Sequence, residues 1–228
     1  LGASYHGITI GSRAGTHSSS GTTIDGVGRM KPDLVAPVNE TSYNAGMLGG
    51  TAACLLEEGV KMGSANAQKP QSIKAILVAG ASKERLPQWQ RAVDAKPYDN
   101  LFGAGELNIY NAWHILNAGE QNASTTVEAG TRGWDYASTT LLSAGRRYFF
   151  RVPANRVANT FSAALVWHRT ILNSSGNYSS ALPNLTLKLY AANNLTAGAL
   201  ISSSTSSLDN VEHLHLYNLP PGQYALEV

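Results

Sequence analysis

Ser42 is the residue in this sequence whose position suggests chemistry. It stands five residues after Pro37, which closes the apolar segment "LVAP", and it opens a run rich in alanine and glycine, "SYNAGMLGGTAACLLEEG". A hydroxyl at a helix N-terminus lies beside free N–H groups and the positive end of the helix dipole, which favour negative charge. This arrangement suits a nucleophile whose attack creates an oxyanion. The alternative is that Thr41 or Ser42 only caps the helix, as serine and threonine often do.

The elements around Ser42 are predicted from short-range patterns. "GITIG" (7–11) and "PDLVAP" (32–37) are short β-rich segments, whereas "GTHSSSGTTIDGVGR" (15–29) has the composition of a loop. Small residues at helical spacing predict a helix from Thr41 or Ser42 to near Gly59 or Gly63. Because glycine and alanine permit close packing, we expect this helix to be central and buried through the stripe Ala45, Gly49, Ala52, Ala53, Leu56 and Val60.

Two further helices are expected in the first half of the chain. In "KPQSIKAILVAGAS" (69–82), Pro70 suits the first helical turn, and four residues share one face, namely Ile73, Ile76, Leu77 and Gly80. The third helix is indicated by Ile109, Ala112, Trp113 and Leu116. Short strands joined to helices predict part of an α/β layer with a parallel sheet over residues 1–117.

The period of the pattern changes to two after Asn117. Apolar residues alternate with polar ones in five segments, with Tyr148, Phe150 and Val152; Phe161, Ala163, Leu165 and Trp167; Leu185, Leu187 and Leu189; Leu214 and Leu216; and Tyr224, Leu226 and Val228. This predicts an antiparallel β-sandwich or jelly roll over residues 118–228. The stretch "NAGEQNASTT" (117–126) is the predicted linker.

Composition excludes several classes of partner. The net charge is +2 and only 14% of the 228 residues are charged, so no nucleic-acid-binding stripe is expected. No apolar run approaches the ~20 residues of a membrane span. The single cysteine, Cys54, excludes an intrachain disulfide and is predicted to be a buried small hydrophobe. Six Asn-x-Ser/Thr sequons favour a secreted protein: Asn39, Asn122, Asn173, Asn177, Asn184 and Asn194.

Histidines offer one possible metal site. His213 and His215 are two residues apart on one predicted strand and His168 lies on another, a spacing that could ligate zinc. Because leucines alternate with His213 and His215, solvent-facing strand positions are the better interpretation.

Oxygen-bearing side chains near a turn offer a second possible metal site. Asp209, Asn210 and Glu212 could bind a structural calcium ion. A turn bonded to its own backbone is the better interpretation. We therefore predict no cofactor.

The chain resembles the subtilisin-like serine peptidases in several motifs that keep one order. "KPDLVAP" followed by "ETSYNAGMLGG" resembles the family's nucleophile region, "SSSGTT" one of its turns, and "LFGAGELNIYNA" its glycine-rich turn and closing helix. "FSAALVWH" and "DNVEHLHLYNLPPGQYALEV" look like the β-sandwich appended to many secreted members. The resemblance implies that Ser42 is the nucleophile of a secreted serine endopeptidase that acts on peptides or proteins.

The resemblance also implies missing parts. In this family the aspartate, the histidine and the oxyanion asparagine precede the segment that matches "GITIG", so a preceding N-terminal segment of the same peptidase would supply them and this chain alone would be inactive. His6-Gly7 is similar to the family's His-Gly-Thr, but the residues after it match a later strand. Asp33 is expected to fix a turn.

Three positions depart from the family's pattern and keep other functions open. Glu40 replaces the glycine before Thr-Ser, Gly46 replaces a proline, and Met47 stands where histidine is frequent. Glu40 places a carboxylate where substrate backbone should pass, which favours a catalytically dead scaffold. A third possibility is a binding module, in which aromatic residues of the sandwich form a platform: Trp134, Tyr136, Trp167 and Tyr190.

Overall fold

The computed structural model describes residues 4–14, 19–23, 26–91, 93–138 and 145–228. Antiparallel strands predominate in it, with few helices. The elements are β1 (Ile10–Ser12), β2 (Ser19–Thr23), β3 (Gly26–Lys31), β4 (Leu34–Ala36), α1 (Thr41–Lys61), α2 (Pro70–Gly80), α3 (Ile109–Asn117), β5 (Arg147–Val152), β6 (Ala158–Val166), β7 (Thr170–Ser174), β8 (Asn177–Ala181), β9 (Leu187–Asn193), β10 (Thr196–Ser204), β11 (Val211–Leu219) and β12 (Gly222–Glu227).

The first half is built on a short parallel strand pair. β1 and β4 pair with Ile10 opposite Leu34, and both strands are buried. Two isolated β-bridges extend this pair: Glu106 forms a parallel bridge with Val35 and an antiparallel bridge with Ser82. Helices α1, α2 and α3 contact one another, and α1 contacts β1. The predicted strands at "GITIG" and "PDLVAP" are therefore present, each shorter than its segment.

The prediction of a loop over residues 15–29 was wrong for part of that stretch. β2 and β3 form an antiparallel hairpin with Ser19 opposite Lys31. Serine, threonine and glycine give this hairpin no apolar alternation, so its sequence has the composition of a loop. Distant contacts hold β3 instead, since the Met30 N–H donates to Asp209 and the Arg29 guanidinium to Asn210.

Helix α1 is not buried on all sides. Its buried residues are Asn44, Leu48, Thr51, Leu55 and Gly59. Each of them directly precedes a residue of the stripe that was predicted to be buried. The predicted stripe includes exposed residues, with Val60 at 56% and Leu56 at 43%. Cys54 is also exposed, contrary to its predicted burial. In the described part of the chain only one face of α1 is covered, which a local pattern of small residues cannot reveal.

The other two helices follow the sequence more closely. Helix α2 has Pro70 in its first turn and buries the four residues predicted to share a face. Helix α3 buries Ala112 and Leu116, whereas Ile109 and Trp113 are partly exposed. No helix among the described residues has the length and apolarity to span a membrane.

The second half contains two sheets that share one apolar core. One sheet has the strand order β10-β9-β12-β5, and the other pairs β11 with β6. The core between them includes Phe150, Leu187, Leu189, Leu214 and Tyr224. Most of the predicted alternating residues thus face this core, in the antiparallel arrangement of a sandwich, whereas Tyr148, Trp167 and Leu185 do not belong to it. A separate hairpin, β7–β8, extends from this body.

Three of the four aromatic residues proposed as a binding platform pack inside the protein, whereas Tyr190 is partly exposed on β9. Trp134 and Trp167 are both 8% exposed, and their indole N–H groups donate to the carbonyls of Leu116 and Pro183. Trp134 belongs to the core of the first half, and Tyr136 packs against that core. The segment predicted as a linker therefore leads into residues that pack on the first half.

Candidate active site at the start of helix α1

Ser42 is the second residue of α1, and its side chain is exposed. The N-cap is Glu40, whose backbone is extended and whose side chain makes no capping hydrogen bond. The prediction that Thr41 or Ser42 caps the helix was thus wrong by one or two residues. Among the described residues the Ser42 hydroxyl has no hydrogen-bond partner, so it is free to react with a ligand.

The backbone around Ser42 can stabilise negative charge. The Glu40 carbonyl accepts from the N–H groups of Tyr43 and Asn44, at 3.2 and 3.3 Å. The N–H groups of Thr41 and Ser42 precede the first intrahelical bond. The first turn contains no acidic residue to neutralise the positive end of the helix dipole. An oxyanion that forms beside Ser42 would therefore meet donors held in place by the helix.

Asn44 fixes this end of the helix to the strands beneath it. Its side chain is fully buried, and its amide donates to the carbonyls of Gly11 at 3.0 Å and Val38 at 2.7 Å. Its carbonyl accepts from the Val38 N–H at 3.3 Å. The contacts join α1 to β1 and to the segment that precedes Ser42. Sequence reasoning missed Asn44, although a lone amide between small residues of a helix was a usable signal.

Replacement of Asn44 by alanine is expected to lower the free energy of unfolding by about 2–3 kcal/mol, because buried backbone groups lose their partner. Urea unfolding followed by circular dichroism measures this change. Asn117→Ala is the matched control, since the Asn117 amide is exposed and bonds only within α3. Equal destabilisation by the two variants would contradict the role given to Asn44.

Asp33 lies in a buried ionic cluster below the site. One carboxylate oxygen accepts from the Lys31 ammonium and the Thr9 N–H, and the other pairs with Lys74 at 3.0 Å. Burial alone would raise the pKa of Asp33, but Lys74 and Lys31 hold that pKa below its usual value. Burial lowers the pKa of Lys31 to about 8, against the opposing effect of Asp33. Asp33 thus ties together separate elements instead of fixing a turn.

The positions that depart from the family pattern lie on the open side of α1. Glu40, Gly46 and Met47 are all exposed, and a Cβ atom added at Gly46 would have no neighbour within 4 Å. Asn39 is exposed too, and its side-chain carbonyl accepts from the Ser12 hydroxyl at 3.5 Å. Glu40 is thus two residues from Ser42 in sequence, and its side chain is exposed to solvent instead of buried.

The histidines named as possible zinc ligands do not come together. His168 stacks on His6 with ring centroids 4.2 Å apart. The prediction that His213 and His215 face solvent was wrong, because His213 is fully buried and His215 is half-buried against Trp89. No group of three or more metal-ligating side chains occurs within the described ranges.

The oxygen ligands considered for calcium already accept hydrogen bonds from the protein. The Asp209 carboxylate accepts from the Met30 N–H at 2.9 Å and the Ser206 hydroxyl at 2.7 Å. Glu212 accepts from the Ser204 hydroxyl and the Ser206 N–H. Burial raises the pKa of Glu212 to about 8. These side chains organise the turn before β11, as the sequence indicated.

A cleft of about 800 Å³ lies away from Ser42. Helices α2 and α3 form one wall and strands β5 and β6 the other, and Ser42 is not among its lining residues. The cleft therefore contributes nothing to the site at α1.

Comparison with known proteins adds no identity: no family model matches the chain, and no curated protein matches it.

Proposed function

We propose that this chain is part of a secreted subtilisin-like serine endopeptidase in which Ser42 is the nucleophile. The observation that carries the proposal is the free, exposed Ser42 hydroxyl at the N-terminus of α1, beside N–H groups that make no helical bond. The ordered sequence motifs give the family, and the exposed asparagines of all six sequons are compatible with secretion.

In the proposed reaction the Ser42 oxygen attacks the scissile carbonyl of a peptide. Its proton passes to a histidine supplied by another segment, while the Ser42 N–H helps to hold the oxyanion. The peptide C–N bond then breaks, and the leaving amine takes the proton from the imidazolium. Water attacks the resulting acyl-enzyme and releases the second product.

The proposal requires a partner segment that carries the histidine, the aspartate and the oxyanion asparagine. No histidine of the described chain is hydrogen-bonded to Ser42. The uncovered side of α1 supports such a partner, because Tyr43 is 67% exposed, Met47 44% and Val60 56%. Apolar side chains in this number on one helix favour burial against another part of the protein.

Labelling by a fluorophosphonate probe tests the proposal. In the natural protein that contains this chain, we expect covalent labelling at Ser42, located by peptide mass spectrometry. Ser42→Ala is expected to abolish the label, and Thr41→Ala is the control that keeps it. The isolated chain of 228 residues should not react, because it lacks the base. Absence of the label from the natural protein would refute the proposal.

Glu40 supports one alternative, a scaffold that kept the fold and lost peptidolysis. Its exposed carboxylate stands two residues before Ser42, where it would disfavour an oxyanion and obstruct a substrate. Under this alternative neither the natural protein nor its Glu40→Gly variant is labelled. Labelling that appears only in Glu40→Gly would show that Glu40 alone inactivates a competent site.

A further inference from the structure

The segment after α2 attaches the first half of the chain to the sandwich. We call it the bridging loop and define it as residues 83–91 and 93–97. Arg91 donates to the His213 carbonyl at 3.2 Å, the Asp94 carboxylate accepts from the Ser203 hydroxyl at 2.9 Å, and the Asp94 carbonyl accepts from the Thr205 N–H at 2.8 Å. The loop is thus bonded to the end of β10 and to β11.

Two histidines of β11 are enclosed beneath this loop. Trp89 lies 6.0 Å from His213 and 5.3 Å from His215, measured between ring centroids. Tyr98 packs on His213 at 6.2 Å, and Tyr217 on His215 at 4.8 Å. Nδ1 of His213 and both ring nitrogens of His215 are buried without a hydrogen bond of good geometry in the described structure, although the Pro97 carbonyl lies near enough to the His213 ring to favour its charged form. Only Nε2 of His213 has such a bond, with the Ser162 hydroxyl of β6 at 3.4 Å.

The charged groups nearest these rings are positive. The Lys83 amine is buried, lies 5.0 Å from the Trp89 ring centroid and donates to the Ala81 carbonyl. Burial lowers the pKa of Lys83 to about 7, so Lys83 gains its charge as pH falls through about 7 and is fully charged at pH 5.0. Burial, Lys83, His215 and Arg91 all lower the pKa of His213, against a weaker opposing effect of the Pro97 carbonyl. Burial and Lys83 lower the pKa of His215 to about 3. Both rings are therefore neutral at pH 7.

The neighbouring carboxylates are engaged elsewhere. Asp94 pairs with Arg91 at 3.0 Å, and Glu212 points away from the loop towards Ser204. Asp99 accepts backbone N–H groups, and Asp33 pairs with lysines. In the described ranges no carboxylate forms a salt bridge with either histidine, so a proton added there has no counter-charge.

We propose that acid releases the bridging loop from β11 through protonation of His213 and His215. Each added proton places a buried positive charge beside Lys83 and Arg91, and departure of the loop admits water to the rings. The stabilising contribution of the neutral rings is complete above the ordinary histidine pKa of 6.5 and is lost as pH falls below that value, for His215 towards about 3. Each histidine can favour the released form by up to about tenfold per pH unit.

The effect of Glu212 has the opposite sign. Its pKa is raised, so its contribution is present at low pH and is lost as pH rises through about 8. Glu212 alternates with His213 on β11 and shares the strand face of the core residue Leu214, so we expect it to stay buried when the loop departs, although its charge also acts on Arg91. A Glu212→Gln variant is therefore expected to keep the acid response.

Hydrogen exchange of the full chain, read by mass spectrometry at pH 7.5 and pH 5.0, tests the proposal. After correction for intrinsic exchange, we expect protection of the Thr205 N–H to fall about tenfold or more at pH 5.0. Peptides from β5 and β12 should stay protected, which separates local release from global unfolding. In His213→Phe/His215→Phe the response should disappear, whereas His168→Phe, altered outside the loop, should keep it.

Unchanged protection of Thr205 at pH 5.0 would overturn the proposal, and so would simultaneous loss in β5 and β12 or a persistent response in the double variant. If the double variant fails to fold, Lys83→Met decides. Loss of this ammonium makes protonation of the attached rings less costly, so release should then require a lower pH. An unchanged midpoint in Lys83→Met would also count against the proposal.

Discussion

Under the proposed endopeptidase function, replacement of Ser42 by alanine is expected to lower kcat/KM for peptide hydrolysis by roughly 10⁶-fold in the natural protein, with little change in KM. The reason is that the proposed mechanism assigns the attacking oxygen to Ser42, so its removal leaves only substrate binding and the helix N–H groups. The measurement is hydrolysis of a fluorogenic peptide library, with kcat and KM determined separately for the best substrate.

Two controls define this expectation. Ser64→Ala removes a hydroxyl that accepts from the Ala67 N–H beyond the other end of α1, and hydrolysis should be unchanged. Glu40→Gly should raise kcat/KM, because it removes a carboxylate that opposes the developing oxyanion. If Ser42→Ala retained full activity, the nucleophile would have to be another residue.

Replacement of Asp33 by asparagine is expected to destabilise the chain by roughly 3–5 kcal/mol. The carboxylate is 1% exposed and neutralises two lysines that are themselves buried, so its loss leaves positive charges without a partner. Denaturant unfolding at pH 7 measures the change. Since the pKa of Asp33 lies below its usual 3.8, this stabilisation is present above pH 3.8 and is lost as pH falls below that value.

The control for Asp33 is Glu57→Gln. Glu57 pairs with Lys61 on the exposed surface of α1, so no measurable change is expected. If Asp33→Asn does not fold, Lys74→Met in the same background should restore part of the stability by removing one uncompensated charge. A stable Asp33→Asn protein with unchanged unfolding would contradict the electrostatic account.

The sandwich was the most predictable part of the fold, for a local reason. Phe150, Leu187, Leu189 and Leu214 occupy alternate positions of strands, and alternation by itself places a side chain on one face of a sheet. Helix α2 was predictable for the same reason, since Pro70 and four apolar residues mark its start and its buried face.

Tertiary contacts determined the burial of several residues whose environment the sequence pattern did not predict. Whether small residues of α1 are covered depends on a neighbouring layer, so Cys54 and Val60 were assigned to the wrong environment. His213 alternates with leucines as a solvent-facing residue would, yet the bridging loop covers that face. The spacing of residues in the sequence indicates which side chains share a face of a helix or strand. It does not indicate which other part of the protein packs on that face.

The candidate site was predictable only in part. Its place between a strand and a helix of small residues drew attention to Ser42, and the resemblance to subtilisin-like peptidases assigned it as nucleophile; the structure leaves its hydroxyl exposed. The contacts by which Asn44 supports this helix, and those of the ionic cluster around Asp33, could not be inferred, because their partners come from separate segments such as β1 and α2. Such pairings depend on the tertiary fold, which a short sequence motif does not specify.

The anchoring of β3 by residues near the end of the chain imposes an order on synthesis. Met30 and Arg29 bond to partners 179 and 181 positions further along, so the ribosome must translate that length of chain before the contacts can close. Until then the emerging hairpin has its own ladder and nearby contacts such as the Lys31–Asp33 pair, and contacts that span so much sequence form slowly. A nascent polypeptide of this kind stays exposed to aggregation during elongation and benefits from chaperone cover.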